Sequence, residues 1–94
     1  MRVLVVLTDP VDSDALRERF MALVVAGEEV AVCYTLYSQP TLQATLDAQR
    51  KITAALRRAL GGSAESIPVF VVCAGDRDGI ADCAREWGAT EVQT

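Results

Sequence analysis

Carboxylates and thiols are the side chains of this 94-residue sequence whose types and positions could support chemistry. Asp9 and Asp12 follow the first apolar run, and Asp76 follows the third. Such carboxylates at one sheet edge could hold a divalent cation at a phosphoacceptor site. That chemistry also needs a lysine after a fifth strand, and the sequence predicts only four strands. We therefore favour capping and turn roles for these carboxylates and predict no metal site.

The cysteines Cys33, Cys73 and Cys83 offer a second chemistry. Cys73 ends an apolar run with Arg77 four residues on, but this loop is too short to surround an oxyanion as phosphatase and sulfurtransferase loops do. Cys33 and Cys73 fall in neighbouring predicted strands, so a redox-responsive thiol pair is one alternative and buried, inert thiols are the other. Cys83 lies on an apolar helical stripe, which is typical of the core.

Histidine is absent from the sequence, which removes the commonest general base and metal ligand. No Ser-His-Asp or Cys-His arrangement, phosphate-binding P-loop motif or CxxC spacing is present. The sequence therefore predicts a protein that is not an enzyme.

The composition is typical of one small α/β domain, with 51% hydrophobic and 5% aromatic residues. A net charge of −4 and a pI near 4.6 argue against binding to nucleic acid or to an acidic membrane. No run of 18 apolar residues is present, and Met1-Arg2 leads directly into the first strand without a cleavage site. Together with three widely spaced cysteines, these features predict a cytoplasmic protein with reduced thiols.

The apolar run over residues 3–7 predicts the element that positions the acidic edge. It does not alternate, so both of its faces should be covered, as in a central strand of a parallel sheet. Thr8 and Asp9 then lie at its carboxyl end, where open α/β sheets bind ligands. Further strands are predicted over 30–35, 67–73 and 90–94, and helices over 13–26, 41–60 and 80–87. This alternation predicts one three-layer α/β/α domain over residues 1–94 with a four-stranded parallel sheet.

Four cationic residues share one stripe of the predicted second helix: Arg50, Lys51, Arg57 and Arg58. We favour a solvated helix face, which the helix dipole supports near the carboxyl end. A binding patch is the alternative.

Three stretches together resemble the universal stress protein family. Residues 3–9 (VLVVLTD) resemble its opening strand with a terminal aspartate, and residues 26–32 (AGEEVAV) resemble its helix stop and second strand. Residues 72–89, which begin VCAGD, resemble its third strand, its glycine and the helix leading to strand four. The resemblance covers nearly the whole chain in order and spacing. It implies strand order 3-2-1-4 in an adenine nucleotide alpha hydrolase-like fold.

The resemblance also implies a nucleotide site at the carboxyl edge of the sheet. Asp9 would meet the adenine or ribose side, Thr35 would supply a backbone contact to adenine, and Gly75 would lie beside the ribose. In the family, a glycine-rich loop after strand four cradles the phosphates, and a further helix and strand follow. No glycine follows Gly88 in this sequence. We therefore expect either no cofactor or weak binding of an adenine nucleotide such as ATP or AMP, because the amide donors for the phosphates are missing.

By the same resemblance, the protein is a non-catalytic regulatory or binding module. Strand order 3-2-1-4 places one helix alone on one sheet face, so we expect apolar area beside the first strand to stay open and the fourth strand to form an unpaired edge. Both features predict a homodimer, formed through that face or by antiparallel pairing of residues 91–93. The alternative is that Trp87 and its helix cover the face. An interaction protein without a ligand, whose sheet edge recruits a protein partner, is the remaining alternative.

Overall fold

Four parallel strands form the centre of the protein and three helices cover them. The computed structural model describes residues 1–8, 11–37, 41–73 and 78–94. The strands are β1 (Arg2–Leu7), β2 (Glu29–Leu36), β3 (Val69–Cys73) and β4 (Glu91–Gln93), in the order β3-β2-β1-β4. The helices are α1 (Ser13–Val25), α2 (Leu42–Leu60) and α3 (Gly79–Trp87). The predicted α/β class, strand order and parallel sheet are therefore confirmed.

β1 and β2 lie at the centre of the sheet, in register from Arg2 beside Glu29 to Leu7 beside Tyr34. Val3, Leu4 and Val5 are all buried, although successive side chains point to opposite faces of a strand. A helical layer therefore covers each face of β1, as its non-alternating apolar run predicts.

One layer consists of α1 and α2, whose apolar stripes meet Val3 and Val5 of the sheet through Phe20, Ile52 and Leu56. Local signals fix the helix ends. The carboxylate of Asp12 accepts a hydrogen bond from the amide of Asp14 at the start of α1, and Thr41 caps α2 in the same way. The predicted capping role of Asp12 is confirmed.

The outward face of α2 carries the four cationic residues of the predicted stripe, and all four are exposed. Arg50 lies 4.0 Å from the Asp47 carboxylate. In the described part of the chain, no helix is long and apolar enough to cross a membrane.

The second layer is α3 alone, and it covers more of the sheet than the sequence suggests. Leu4, Ala31 and Cys33 are fully buried beneath a cluster of partly buried side chains that includes Trp87. The predicted open apolar area beside β1 is therefore wrong at the centre of this face, because one nine-residue helix closes it. Val92 of β4 stays 42% exposed, at the edge that α3 does not reach.

β3 begins at Val69, two residues later than the sequence predicts, because a 3-10 helix over Gly61–Ser66 prolongs the connection from α2. The chain before it still contributes to the sheet, since the Pro68 carbonyl accepts a hydrogen bond from the amide of Val32 at 2.9 Å. Among the described strands, β3 pairs with β2 alone. This position confirms the prediction that Pro68 marks an edge strand.

Arg2 joins three elements at the amino-terminal end of the sheet. Its Nε lies 2.7 Å from Glu29 Oε2 of β2, and its guanidinium also donates to the Trp87 carbonyl at 2.5 Å. The guanidinium carbon lies 5.4 Å from the centre of the Trp87 ring. These contacts anchor the carboxyl end of α3 against the two central strands.

Candidate ligand site at the carboxyl edge of the sheet

Two threonines lie side by side where β1 and β2 end. Leu7 is in register with Tyr34, so the residues that follow them, Thr8 and Thr35, share the carboxyl edge of the sheet. Thr8 is exposed, whereas Thr35 is 7% exposed. Their hydroxyls can donate to and accept from a ligand that lies across this edge.

Thr35 carries a polar group without a partner. Its Oγ1 is shielded from water and has no hydrogen-bond partner among the described residues. Thr35 is in register with Val72, whose side chain belongs to the α3 layer, so the hydroxyl lies on that face. A buried hydroxyl without a hydrogen bond costs about 1–3 kcal/mol, which makes this position unusual within a well-satisfied sheet.

A cavity of about 170 Å³ adjoins Thr8 on the α1 side of the edge. Leu7, Val11 and Leu16 give it an apolar wall, while Asp12 and Arg19 place charges at its rim. Arg19 Nε also donates to Gln93 Oε1 of β4 at 3.4 Å. The cavity thus lies near β1 and β4, where the strand order reverses and open α/β sheets place their ligands.

The size of this cavity limits what it can hold. Ligand pockets usually enclose about 300–1,000 Å³, so this one has room for a group the size of a single heterocyclic base. Larger hollows of about 630 and 520 Å³ lie on the outer face of α2 and at the amino-terminal end of the sheet. Neither is at the carboxyl edge, so we do not assign the ligand site to them.

The charges around the cavity disfavour an anion. The Asp12 carboxylate already accepts a hydrogen bond from the amide of Asp14. The Asp14 carboxylate adds a second negative charge in the first turn of α1. Among the described residues lining the cavity, Arg19 supplies the positive charge. A phosphate at this helix start would meet two carboxylates where amide donors usually bind it. In the described part of the chain, no group of three potential ligands could hold a metal ion.

Two of the four predicted ligand contacts, Asp9 and Gly75, lie outside the described residues, as do Asp76 and Arg77. Their roles stay predictions. The other two, Thr8 and Thr35, each follow a residue of the last register pair between β1 and β2, Leu7 and Tyr34. The sequence offers no sign that the Thr35 hydroxyl lacks a partner, because that depends on what α3 and β3 place beside it.

The thiols are arranged differently from the predicted pair. Cys73 is in register with Leu36, three residues beyond Cys33 on β2. An odd separation along a strand places two side chains on opposite faces, so Cys73 lies on the α1–α2 side and Cys33 on the α3 side. The expected proximity of Cys33 and Cys73 is therefore wrong: the two strands are neighbours, but the side chains point to different layers.

Cys33 instead lies in the same packed cluster as Cys83 of α3. Burial, together with the negative charge and the hydrogen bond of Cys83, raises the pKa of the Cys33 thiol to about 12. The sequence does contain a sign of this pair. Side-chain alternation along β2 places Cys33 on the α3 side of the sheet, and the apolar stripe of α3 places Cys83 on the side of the helix that faces the sheet. Cys83 packs against the core but is only partly buried, so its predicted core position is confirmed in part.

Comparisons of this chain with protein-family models, with curated proteins and with solved structures find no match.

Proposed function

We propose that this protein is a non-catalytic binding module that holds a nucleoside-sized ligand weakly at the carboxyl edge of β1 and β2. The observation that carries the proposal is the buried Thr35 hydroxyl, which has no hydrogen-bond partner among the described residues, near the exposed Thr8. The base-sized cavity next to Thr8 lies on the opposite, α1 side of this edge, so the ligand would lie across the end of β1 with its ring on the apolar cavity wall and a polar group toward Thr35. The resemblance to universal stress proteins suggests adenine as that ring.

Weak binding follows from the burial of the same hydroxyl. Because Thr35 Oγ1 is shielded from water, a ligand must first displace the groups that cover it. The free energy of that displacement is subtracted from the affinity. The two carboxylates of Asp12 and Asp14 disfavour added phosphates, so ATP should bind no more tightly than adenosine.

Calorimetric titration with adenosine, AMP and ATP, with and without Mg²⁺, tests the ligand site. We expect a dissociation constant of about 0.1–1 mM for adenosine and no gain from the phosphates. Thr35→Val keeps the side-chain shape but removes the hydroxyl, so it should weaken adenosine binding by about 3–10-fold and raise the melting temperature. Thr53→Val, on α2 away from the edge, is the matched control and should leave binding unchanged.

Three results would contradict this proposal. Micromolar binding of ATP would mean that phosphate donors exist which the charges at α1 do not suggest. An absence of heat with all three compounds at millimolar concentration would favour an interaction protein without a ligand. If Thr35→Val lowers the melting temperature, the hydroxyl has a stabilising partner and the site is misassigned.

We also propose that the protein is a homodimer built through β4. This strand pairs with β1 on one side, and its other edge has no partner among the described strands. Antiparallel pairing about a twofold axis at Val92 would place each Glu91 opposite Gln93 of the second copy, so like charges would not face each other. The exposed Val92 side chains would then pack together across the axis.

Sedimentation at micromolar concentration tests the dimer. We expect about twice the 10.1 kDa mass of the chain. Val92→Lys should shift the protein to monomer, because Lys on an edge strand opposes pairing. Val25→Lys, at a valine that is 82% exposed on α1, is the matched control and should leave the dimer intact. A 10 kDa wild-type species would overturn this proposal.

A further inference from the structure

Cys33 and Cys83 belong to the same packed cluster between the sheet and α3. Cys33 lies on the central strand β2 and is fully buried. Cys83 lies near the middle of α3 and packs against the apolar cluster that contains Cys33. The two cysteines are 50 positions apart in sequence and are packed in one cluster from separate elements, which is the arrangement that a disulfide between α3 and the sheet needs.

The two thiols differ in access. Cys83 is partly exposed, so a small oxidant can reach it, whereas Cys33 is sealed beneath α3. Cys33 and Cys83 are the two thiols among the described residues of this apolar cluster. Oxidation should therefore begin at Cys83, and Cys33 is placed to react with the product.

We propose that Cys33 and Cys83 form an intramolecular disulfide when a peroxide oxidises this protein. The Cys83 sulfur attacks hydrogen peroxide, the O–O bond breaks, and Cys83 becomes a sulfenic acid with release of one water. The Cys33 sulfur then displaces the hydroxyl group, which leaves as a second water with the Cys33 proton. Two thiols lose two electrons and two protons, and one peroxide becomes two waters.

The bond would link α3 covalently to the face of the sheet that α3 alone covers. A cross-link between residues this far apart restricts the unfolded chain strongly, so the oxidised protein should melt about 10 °C higher than the reduced protein. Cys73 lies on the opposite face of the sheet and should stay a free thiol.

Peroxide treatment of the full chain, followed by alkylation and peptide mapping by mass spectrometry, tests the proposal. We expect one linked peptide pair containing Cys33 and Cys83, one alkylated Cys73 and the loss of two hydrogen masses from the intact protein. Cys73→Ser should retain the link, and Cys83→Ser should abolish it. Melting of the oxidised wild type with and without reductant reports the same bond without any substitution.

Several outcomes would overturn the disulfide. A link between Cys33 and Cys73 would do so, and so would a link between Cys73 residues of two chains with Cys33 and Cys83 still alkylated. Accumulation of sulfinic acid on Cys83 without a link would show that Cys33 does not reach it. A melting temperature unaffected by reductant would show that the bond does not fasten α3.

Discussion

Replacing Phe20 with alanine is expected to lower the free energy of unfolding by about 3–5 kcal/mol. Phe20 is fully buried on α1 and belongs to the core cluster shared with Ile52 and Leu56 of α2 and with Val3 and Val5 of the sheet. Removing the ring leaves a cavity between two helices and the sheet that the surroundings can fill only in part. A domain of this size has a total stability of about 5–10 kcal/mol, so the loss is a large fraction.

Urea unfolding at constant pH measures this effect. Met21→Ala is the matched control, because Met21 is the next residue of the same helix and is 46% exposed. We expect the control to cost about 1 kcal/mol or less. Phe20→Leu, expected to cost about 1–2 kcal/mol, keeps the comparison informative if the alanine variant does not fold. Equal losses for Phe20→Ala and Met21→Ala would mean that α1 does not bury the face described above.

The same substitution also concerns the ligand site. Leu16 lies one turn before Phe20 on the buried stripe of α1 and lines the cavity beside Thr8. Loosening the helix should therefore weaken adenosine binding as well as stability. The shape of the candidate site therefore depends on the core packing of Phe20.

The fold could be predicted from the sequence because its signals are local. The non-alternating run in β1 requires cover on both faces, and Asp12 and Thr41 cap the helices that provide it. Gly27, Gly61 and Gly88 take positive φ angles where the helices end, a conformation that favours glycine.

The features that escaped prediction depend on contacts between distant residues. The extent of α3 cover could not be inferred from a helix count, because it depends on how far Trp87 and its neighbours reach over Leu4 and Cys33. Arg2 meets Trp87 from 85 positions away. Because β2 and β3 are adjacent strands, the sequence suggested that Cys33 and Cys73 lie close together. Only the register of the two strands determines on which face of the sheet each thiol lies.

The candidate site was predictable at the level of the sheet edge. Parallel strands bring their carboxyl ends together, so Thr8 at the end of β1 lies at the expected edge. That Thr35 is beside it follows from the β1–β2 register. The charge at the site was harder to predict, because the effect of Asp12 and Asp14 on a phosphate depends on their positions at the start of α1.

Raising the pH from 9 to 12 is expected to destabilise the reduced protein through Cys33. Burial raises the pKa of this thiol from 9.0 to about 12, while the unfolded chain exposes it to water. Below pH 9 both states are protonated, and the stabilising effect of the neutral buried thiol is fully present. Between the two pKa values the unfolded chain binds fewer protons than the folded one, so stability falls as the pH rises.

The slope is about 1.4 kcal/mol per pH unit, which amounts to about 2 kcal/mol by about pH 10.5. Urea midpoints measured under reducing conditions at pH 8 and at about pH 10.5 give the loss. Other groups titrate in this range, so the comparison is between variants. Cys33→Ala removes the buried thiol and should lose about 2 kcal/mol less over the same interval, whatever its stability at pH 8.

Cys73→Ala is the matched control, because it removes a thiol from the opposite face of the sheet and leaves Cys33 in place. This variant should keep the wild-type pH dependence. Identical slopes for wild type, Cys33→Ala and Cys73→Ala would refute a desolvated Cys33, because a thiol open to water ionises equally in both states. A reduced slope in Cys33→Ala alone would identify Cys33 as the source and would support the tight α3 cover on which the Cys33–Cys83 contact depends.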